Sequence, residues 1–269
     1  MSLLLYVFVI HMRIDILMNK YIYLNLLLLM LVTQNCASTN EEKGVDQKPP
    51  SSQELAKSKK ITEVASLVLS KIENVYSQIN DIELDFEQTI VQELFDKKTL
   101  TKGKIYTLRP GKLFWHTQEP SSKEEKLIIS GEEQWLFQPG EKIVYYSRLT
   151  PDHFLSKVTL LFLRKTEKTQ DYFKVQFLGD DNRLALYPKK EIPNIHRIEL
   201  LYDKNTYLLT DLNIIYAAEK RTYIKFKNLK TNQDLWQRHQ KEPLDVQISK
   251  PDFRFIVPQG TRVNILSSK

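Results

Sequence analysis

A single cysteine, Cys36, is the first limit this sequence sets. It excludes a disulfide within one chain and any metal site built on thiolates. Glycine is sparse too: the 7 are Gly44, Gly103, Gly111, Gly131, Gly140, Gly179 and Gly260. Most fall at predicted turns, and none gathers into a phosphate-cradling loop. The 5 histidines, His11, His116, His153, His196 and His239, show no HExxH or comparable metal spacing. No Gly-x-Ser-x-Gly nucleophile elbow occurs. The adjacent carboxylates Glu124-Glu125 and Glu132-Glu133 lie where turns are expected, as solvated loop charges. The net charge of +6 comes from lysines scattered among Glu and Asp, not from a block. Such a surface suits solubility, anionic lipid or nucleic acid, but no helix-turn-helix, finger or RNA-recognition signature accompanies it. These absences point away from an enzyme, a bound cofactor, a metal and nucleic acid.

What is present begins with two apolar runs. Residues 1–17 hold Leu3 to Ile10, interrupted downstream by Arg13 and Asp15. A cleaner leader starts at Met18: Lys20 gives a positive charge, and Tyr21 to Val32 an apolar stretch too short for a membrane span of ~20 residues. Residues 1–36 are therefore expected to be a signal peptide, with Met18 the expected start of translation. Cys36 follows the apolar stretch directly, as the acylated cysteine of a bacterial lipoprotein does, although Gln34 and Asn35 replace the usual small residues. Ordinary cleavage near Ala37 or Ser38 is the alternative. Residues 37–60, rich in Ser, Asn, Gln, Lys and Glu with Pro49-Pro50, are expected to be a polar tether. One sizeable domain, 61–269, remains.

Its first segment is helical by periodicity. Ile61, Val64, Val68, Ile72, Val75 and Ile79 recur at three- and four-residue steps, an apolar stripe that can cover a sheet. From Ile82 the period becomes two, with Leu84, Phe86, Gln88 and Ile90 on one face and Glu83, Asp85, Glu87 and Thr89 on the other. Further strands are expected over 102–109, 112–119, 126–130, 134–138, 142–149, 172–178, 183–187, 195–203, 206–217, 221–228 and 253–257. Turn residues such as Pro110-Gly111 separate them. One break interrupts the series: Thr150 and Pro151 open a predicted helix whose apolar side is Phe154, Leu155, Val158, Leu161 and Phe162. Many short sequential strands argue a mainly β, α+β fold: an antiparallel barrel or strongly curled sheet.

Three segments carry a likeness. They are Arg109-Pro110-Gly111 before a strand containing Leu113, Phe114 and Trp115; Ser130-Gly131 before Trp135; and the terminal Phe253-Arg254-Phe255-Ile256-Val257-Pro258-Gln259-Gly260-Thr261-Arg262-Val263. With Phe86 and Gln88 ahead of them, they resemble, in order and spacing, the LolA family of periplasmic carriers of outer-membrane lipoproteins. The resemblance covers about Ile61 to Leu266. It implies an incomplete antiparallel barrel, a curled half-barrel with an N-terminal helix and a helical lid. It implies an apolar cavity for lipoprotein acyl chains, for which Phe86, Leu113, Trp115, Trp135, Phe154, Leu155 and Val158 are the candidates. Without the likeness, the same aromatics would read as a filled β core. Arg109 matches the family arginine that holds the lid helices closed.

The implied partners are an inner-membrane lipoprotein-releasing transporter and an outer-membrane acceptor, the protein itself acting as a monomer. If Cys36 is acylated, a tethered LolB-like acceptor fits instead. A regulatory sensor of the RseB type shares the half-barrel but carries a further C-terminal domain, for which no room is expected after Gly260. The cavity wall is expected to be only partly packed without cargo. Residues 229–250 stand out as a polar insertion before the last strand, with no assigned role.

Overall fold

The computed structural model describes residues 52–148 and 169–266, apart from 193, 218 and 251. The candidate lid residues Phe154, Leu155 and Val158, the signal peptide and Cys36 lie outside the described residues. Helix α1, Ser52–Ser77, leads into a single twelve-stranded sheet. Its strands are β1 (Asp81–Gln92), β2 (Lys97–Leu108), β3 (Lys112–Glu119), β4 (Glu125–Ser130), β5 (Glu133–Gln138), β6 (Ile143–Arg148), β7 (Phe173–Leu178), β8 (Asp180–Pro188), β9 (Ile195–Tyr202), β10 (Leu209–Tyr216), β11 (Lys220–Thr231) and β12 (Arg262–Ile265). Short helices α2 (Thr169–Tyr172) and α3 (Leu235–Lys241) complete it.

The spatial order is β12-β6-β5-β4-β3-β2-β1-β11-β10-β9-β8-β7, so the sheet is open, a curled half-barrel as expected. Every pairing is antiparallel except β12 on β6, which is parallel. Hairpins connect most neighbours. Gly111 at φ +66° and Gly131 at φ +62° take the left-handed conformation at adjacent turns, and Gly131 N–H donates to Gly111 O at 2.9 Å. That bond sets the β2–β3 and β4–β5 turns side by side.

Strand alternation sorts the apolar residues into two cores. The inner face gathers Leu84, Phe86, Ile105, Leu113, Trp115, Leu127, Ile129, Leu136, Leu186, Ile198, Leu200, Leu212 and Ile224 against Ala65, Leu69, Ile72 and Tyr76 of α1. The outer face of β3–β6 gathers Phe114, Ile128, Trp135, Phe137 and Val144 against Leu235, Ile248, Phe253 and Phe255.

Three expectations shift. The helix begins at Ser52, so the segment 37–60 is not a tether throughout. Of the expected stripe, Ile72 and Ile79 are buried and Val68 and Val75 pack partly against the core, but Val64 is 46% exposed. The stripe is centred instead on Ala65, Leu69, Ile72 and Tyr76, so valine spacing placed its centre too far to one side. Tyr76 earns its buried place by accepting a hydrogen bond from Leu209 N–H at 3.1 Å; burial pushes its phenol up to about 12. Finally, 253–257 is not a strand. Only a single bridge joins Ile248 to Phe255, and Phe253 sits at φ +55°. Ladder pairing starts later, in β12.

Candidate functional site

The inner face of β1–β4 is a continuous, buried apolar wall. Phe86 on β1 lies directly opposite Gly103 on β2, with no side chain between them. A Cβ on Gly103 would collide with the carbonyl oxygen of His116 and come within 2.8 Å of Phe86 Cε1. Glycine there lets the Phe86 ring lie flat over the sheet and reach Trp115, at 4.4 Å between ring centroids and a 45° tilt. Trp115 in turn pairs with Leu127 and Ile105, and Leu113 with Ile129 and Thr107. Phe86, Leu113 and Trp115 thus stand together, as the sequence proposed.

Two corrections accompany them. Trp135 is not on this wall: it pairs with Ile128, whose neighbour across β3 is Phe114, and all three belong to the outer core. Leu136 takes the inner position instead. A one-residue change of position along a strand reverses the face, and tryptophan identity carries no information about which. The expectation of a partly packed wall also fails: Leu113 and Trp115 are 0% exposed and Phe86 is 1% exposed. In this state they pack in one buried core with Ala65, Leu69, Ile72 and Tyr76 of α1.

Arg109 closes β2, on the parity of Ile105 and Thr107, and its backbone N–H donates to Asn80 O at 2.9 Å. Burial lowers the guanidinium pKa, the sign of a charge drawn partly out of water at the barrel rim. The rest of α1 is fixed by polar contacts with α2: Glu73 Oε1 accepts from Thr169 N–H at 2.7 Å, and Gln170 Nε2 donates to Ser66 O at 2.9 Å. This staple ties the helix to the segment that precedes β7.

The polar insertion at 229–250 becomes a strap over the outer face. Asp81 at the start of β1 anchors it: Oδ1 accepts from Gln233 N–H at 2.8 Å and Oδ2 from Leu235 N–H at 3.2 Å. His239, wholly buried, contacts Ser249 O through Nε2 at 3.1 Å and accepts from Leu244 N–H at Nδ1 at 3.2 Å. Since Nδ1 is the acceptor, the proton sits on Nε2. Lys126 on β4 donates to Asp245 Oδ2 at 2.8 Å and Gln247 Oε1 at 2.7 Å. Arg254 forks onto Glu133 at 2.9 and 2.8 Å while Phe253 and Phe255 pack into the outer core. The sequence signal for this was present in Leu113-Phe114-Trp115, Leu127-Ile128-Ile129 and Trp135-Leu136-Phe137, unbroken apolar runs that mark strands buried on both faces.

The family model described as "Outer membrane lipoprotein carrier protein LolA" matches residues 77–239, more than half of the chain. The chain belongs to the LolA family. An outer-membrane lipoprotein carrier protein from Pseudomonas aeruginosa is 27% identical over 199 residues, covering 73% of this chain and 83% of its own. One from Idiomarina loihiensis is 24% identical, covering 61% and 77%. One from Francisella tularensis subsp. novicida is 23% identical, covering 75% and 87%. Among solved structures, a LolA superfamily protein from Nitrosomonas europaea aligns at 12% identity and TM-score 0.37, covering 62% of this chain and 92% of that one. The Mycobacterium tuberculosis lipoprotein LppX aligns at 9% and 0.38, covering 64% and 96%. The LolA family is one of carriers, so binding rather than catalysis is the property to derive from the wall described above.

Proposed function

We propose that this protein is a periplasmic carrier that holds lipoprotein acyl chains against the inner wall of Phe86, Leu113 and Trp115 and moves them from the inner to the outer membrane. The observation that carries this reading is the wall itself. It is an aromatic surface on an open sheet, and among the described residues it shares its core with one amphipathic helix rather than with a second sheet. A helix fastened through a few polar contacts can be displaced as a unit; a second sheet cannot. Each methylene moved from water to this wall gains about 0.8 kcal/mol, and the contacts of α1 given up in exchange offset part of that gain. Cargo therefore binds without being trapped. An inner-membrane lipoprotein-releasing transporter would load the protein and an outer-membrane acceptor unload it.

Arg109 favours the closed state in this scheme. Its fork of donors at the rim suits helix-end carbonyls, each charge-assisted bond contributing roughly 1.5–3 kcal/mol. The lid helix expected over 150–162 is the partner proposed for it. Cys36, if acylated, would instead tether the carrier to a membrane, and Cys36→Ser would release it.

The test is a release assay. Mature protein is incubated with inner-membrane vesicles that hold the transporter and a labelled lipoprotein, then with outer-membrane vesicles. Wild type should appear in a soluble complex with lipoprotein and then deliver it. Arg109→Leu should form the complex but deliver poorly. Absence of any complex with wild type overturns the carrier reading; full delivery by Arg109→Leu removes Arg109 from it.

A further inference from the structure

Beside the aromatic wall, the inner face turns polar without acquiring partners. Gln88, two residues beyond Phe86 on β1, faces Thr101 directly across β2. On the other side, Gln88 pairs with Ile224 and Ile90 with Thr222, so Thr222 is the diagonal neighbour of Gln88. Alternation places all three side chains on the face that carries Phe86. They are 1%, 8% and 0% exposed. Among the described residues, Gln88 Oε1, Thr101 Oγ1 and Thr222 Oγ1 are buried and form no hydrogen bond within the chain. Each such atom costs folding its desolvation, and three on adjacent strands are a concentration that packing alone does not explain.

We propose that Gln88, Thr101 and Thr222 form a binding site for the polar junction of an acyl ligand, one that carries a hydrogen-bond donor as well as an acceptor. The inference rests on the carrier reading and specifies its ligand. Gln88 Oε1 only accepts, so it requires an N–H or O–H from the ligand; the two hydroxyls both donate and accept, and can serve a carbonyl. An amide or a hydroxyl next to a carbonyl satisfies the set. A simple ester, which only accepts, leaves Oε1 unsatisfied. The placement is right for this: a chain lying along Trp115 and Phe86, whose rings are 4.4 Å apart, extends along β1 to Gln88. Two sources share that chemistry. One is the N-acylated amino terminus of a lipoprotein, the other the free hydroxyl of an acylglycerol.

The experiment uses the mature protein and three probes: a synthetic triacylated cysteinyl peptide, 1-monopalmitoylglycerol and methyl palmitate. Each displaces a bound fluorescent fatty acid, and melting temperatures are recorded alongside. Wild type should bind at least one of the first two about tenfold more tightly than methyl palmitate. In Gln88→Met and Thr222→Val, which keep side-chain volume, that preference should vanish while methyl palmitate binding stays within about twofold. Both variants should melt no lower than wild type, since each loses an unsatisfied buried polar atom. Loss of preference for the peptide alone identifies an acylated protein terminus as the ligand; loss for the glyceride alone identifies a free lipid. Equal weakening of all three probes, or a lowered melting temperature, would mean a structural role and overturns the inference. Wild type that binds every probe without preference overturns it and leaves the carrier reading intact. Wild type that binds none overturns both.

Discussion

Strands β3 to β5 are buried on both faces, whereas β1, β2 and β11 are buried on one. On the inner side the two regions are continuous, a single wall against α1. On the outer side they part. Over β3–β6 the strap lays down Leu235, Ile248, Phe253 and Phe255. Over β1, β2 and β11 there is a ladder of surface charges: Asp85 with Lys104 at 2.6 Å, Glu87 with Lys227 at 2.8 Å, Glu83 with Arg238 at 2.8 Å. The Lys104 and Asn228 hydrogen bonds hold the Asp85 carboxyl below the usual carboxylate range. The same sheet is thus a core element at one side and a solvated one at the other. The strap packs from behind against the strands that carry Trp115 and Leu113, the wall proposed above to hold acyl chains.

The sharpest way to break the comparison is to break the strap. Lys126 and Asp245 are each only 10% exposed and lie 2.8 Å apart. Asp245→Ala leaves the buried Lys126 with only Gln247 and the more distant Glu124, at 3.7 Å, and should cost about 3 kcal/mol, read by denaturant titration. The double variant Lys126→Met with Asp245→Leu should recover most of that loss. If Asp245→Ala costs under about 1 kcal/mol, the strap is not fastened there.

Gly103 tests the other side of the sheet. Its Cβ would meet the backbone oxygen of His116, which cannot move without opening the β2–β3 ladder, and the Phe86 ring at 2.8 Å. Gly103→Ala should destabilise by about 3 kcal/mol, the upper part of the usual range for overpacking, and should tilt Phe86 off Trp115. Tryptophan fluorescence reports the second effect. A variant with unchanged stability and emission would show that β3 approaches β2 less closely than described.

Leu113→Glu asks whether the inner wall is a core or a cavity. At 0% exposure, an added carboxylate has no water and no partner, so the closed protein should lose about 2–3 kcal/mol. A near-normal melt with abolished fatty-acid probe binding would instead show that the wall is open to water in solution.

Much of this was legible in the chain. Strand period, turn glycines and the Arg109-Pro110-Gly111 segment placed Phe86, Leu113 and Trp115 on one wall correctly. Trp135 was misplaced because facing was inferred from residue type, whereas the register through Gly131 decides it. Gly103 fell inside the expected strand 102–109, but its role did not show; nothing local marks a strand glycine that admits a neighbouring strand's carbonyl. The strap's polar anchors were invisible for a different reason, although the apolar runs of β3–β5 signalled a covered outer face. Asp81 and Asp245 look like surface charges until residues more than a hundred positions away supply Leu235 N–H and Lys126. Long-range partners of polar groups leave no periodic trace.

The smallest effect concerns Lys220, at the start of β11 on the inner parity, two residues from Thr222. Its side chain is largely buried, and its ammonium lies 5.2 Å from the Tyr216 ring centroid. Burial depresses its pKa from an ordinary 10.5 to about 8, so desolvation outweighs the attraction of the ring. The consequence for stability has a definite sign. Below pH 8 the amine is charged in both folded and unfolded chains, and the folded state bears the whole cost of burying that charge. Between about 8 and 10.5 the folded chain sheds the proton while the unfolded chain keeps it, so stability from this group rises with pH. Above 10.5 both are neutral and the penalty is gone. Lys220→Met removes the charge and keeps the stem. It should melt above wild type at pH 7, and the gap should narrow as pH rises from 8 to 10. A gap that stays constant across that window would mean that Lys220 is hydrated in solution. The polar end of the inner wall would then be open to water where the aromatic end is closed.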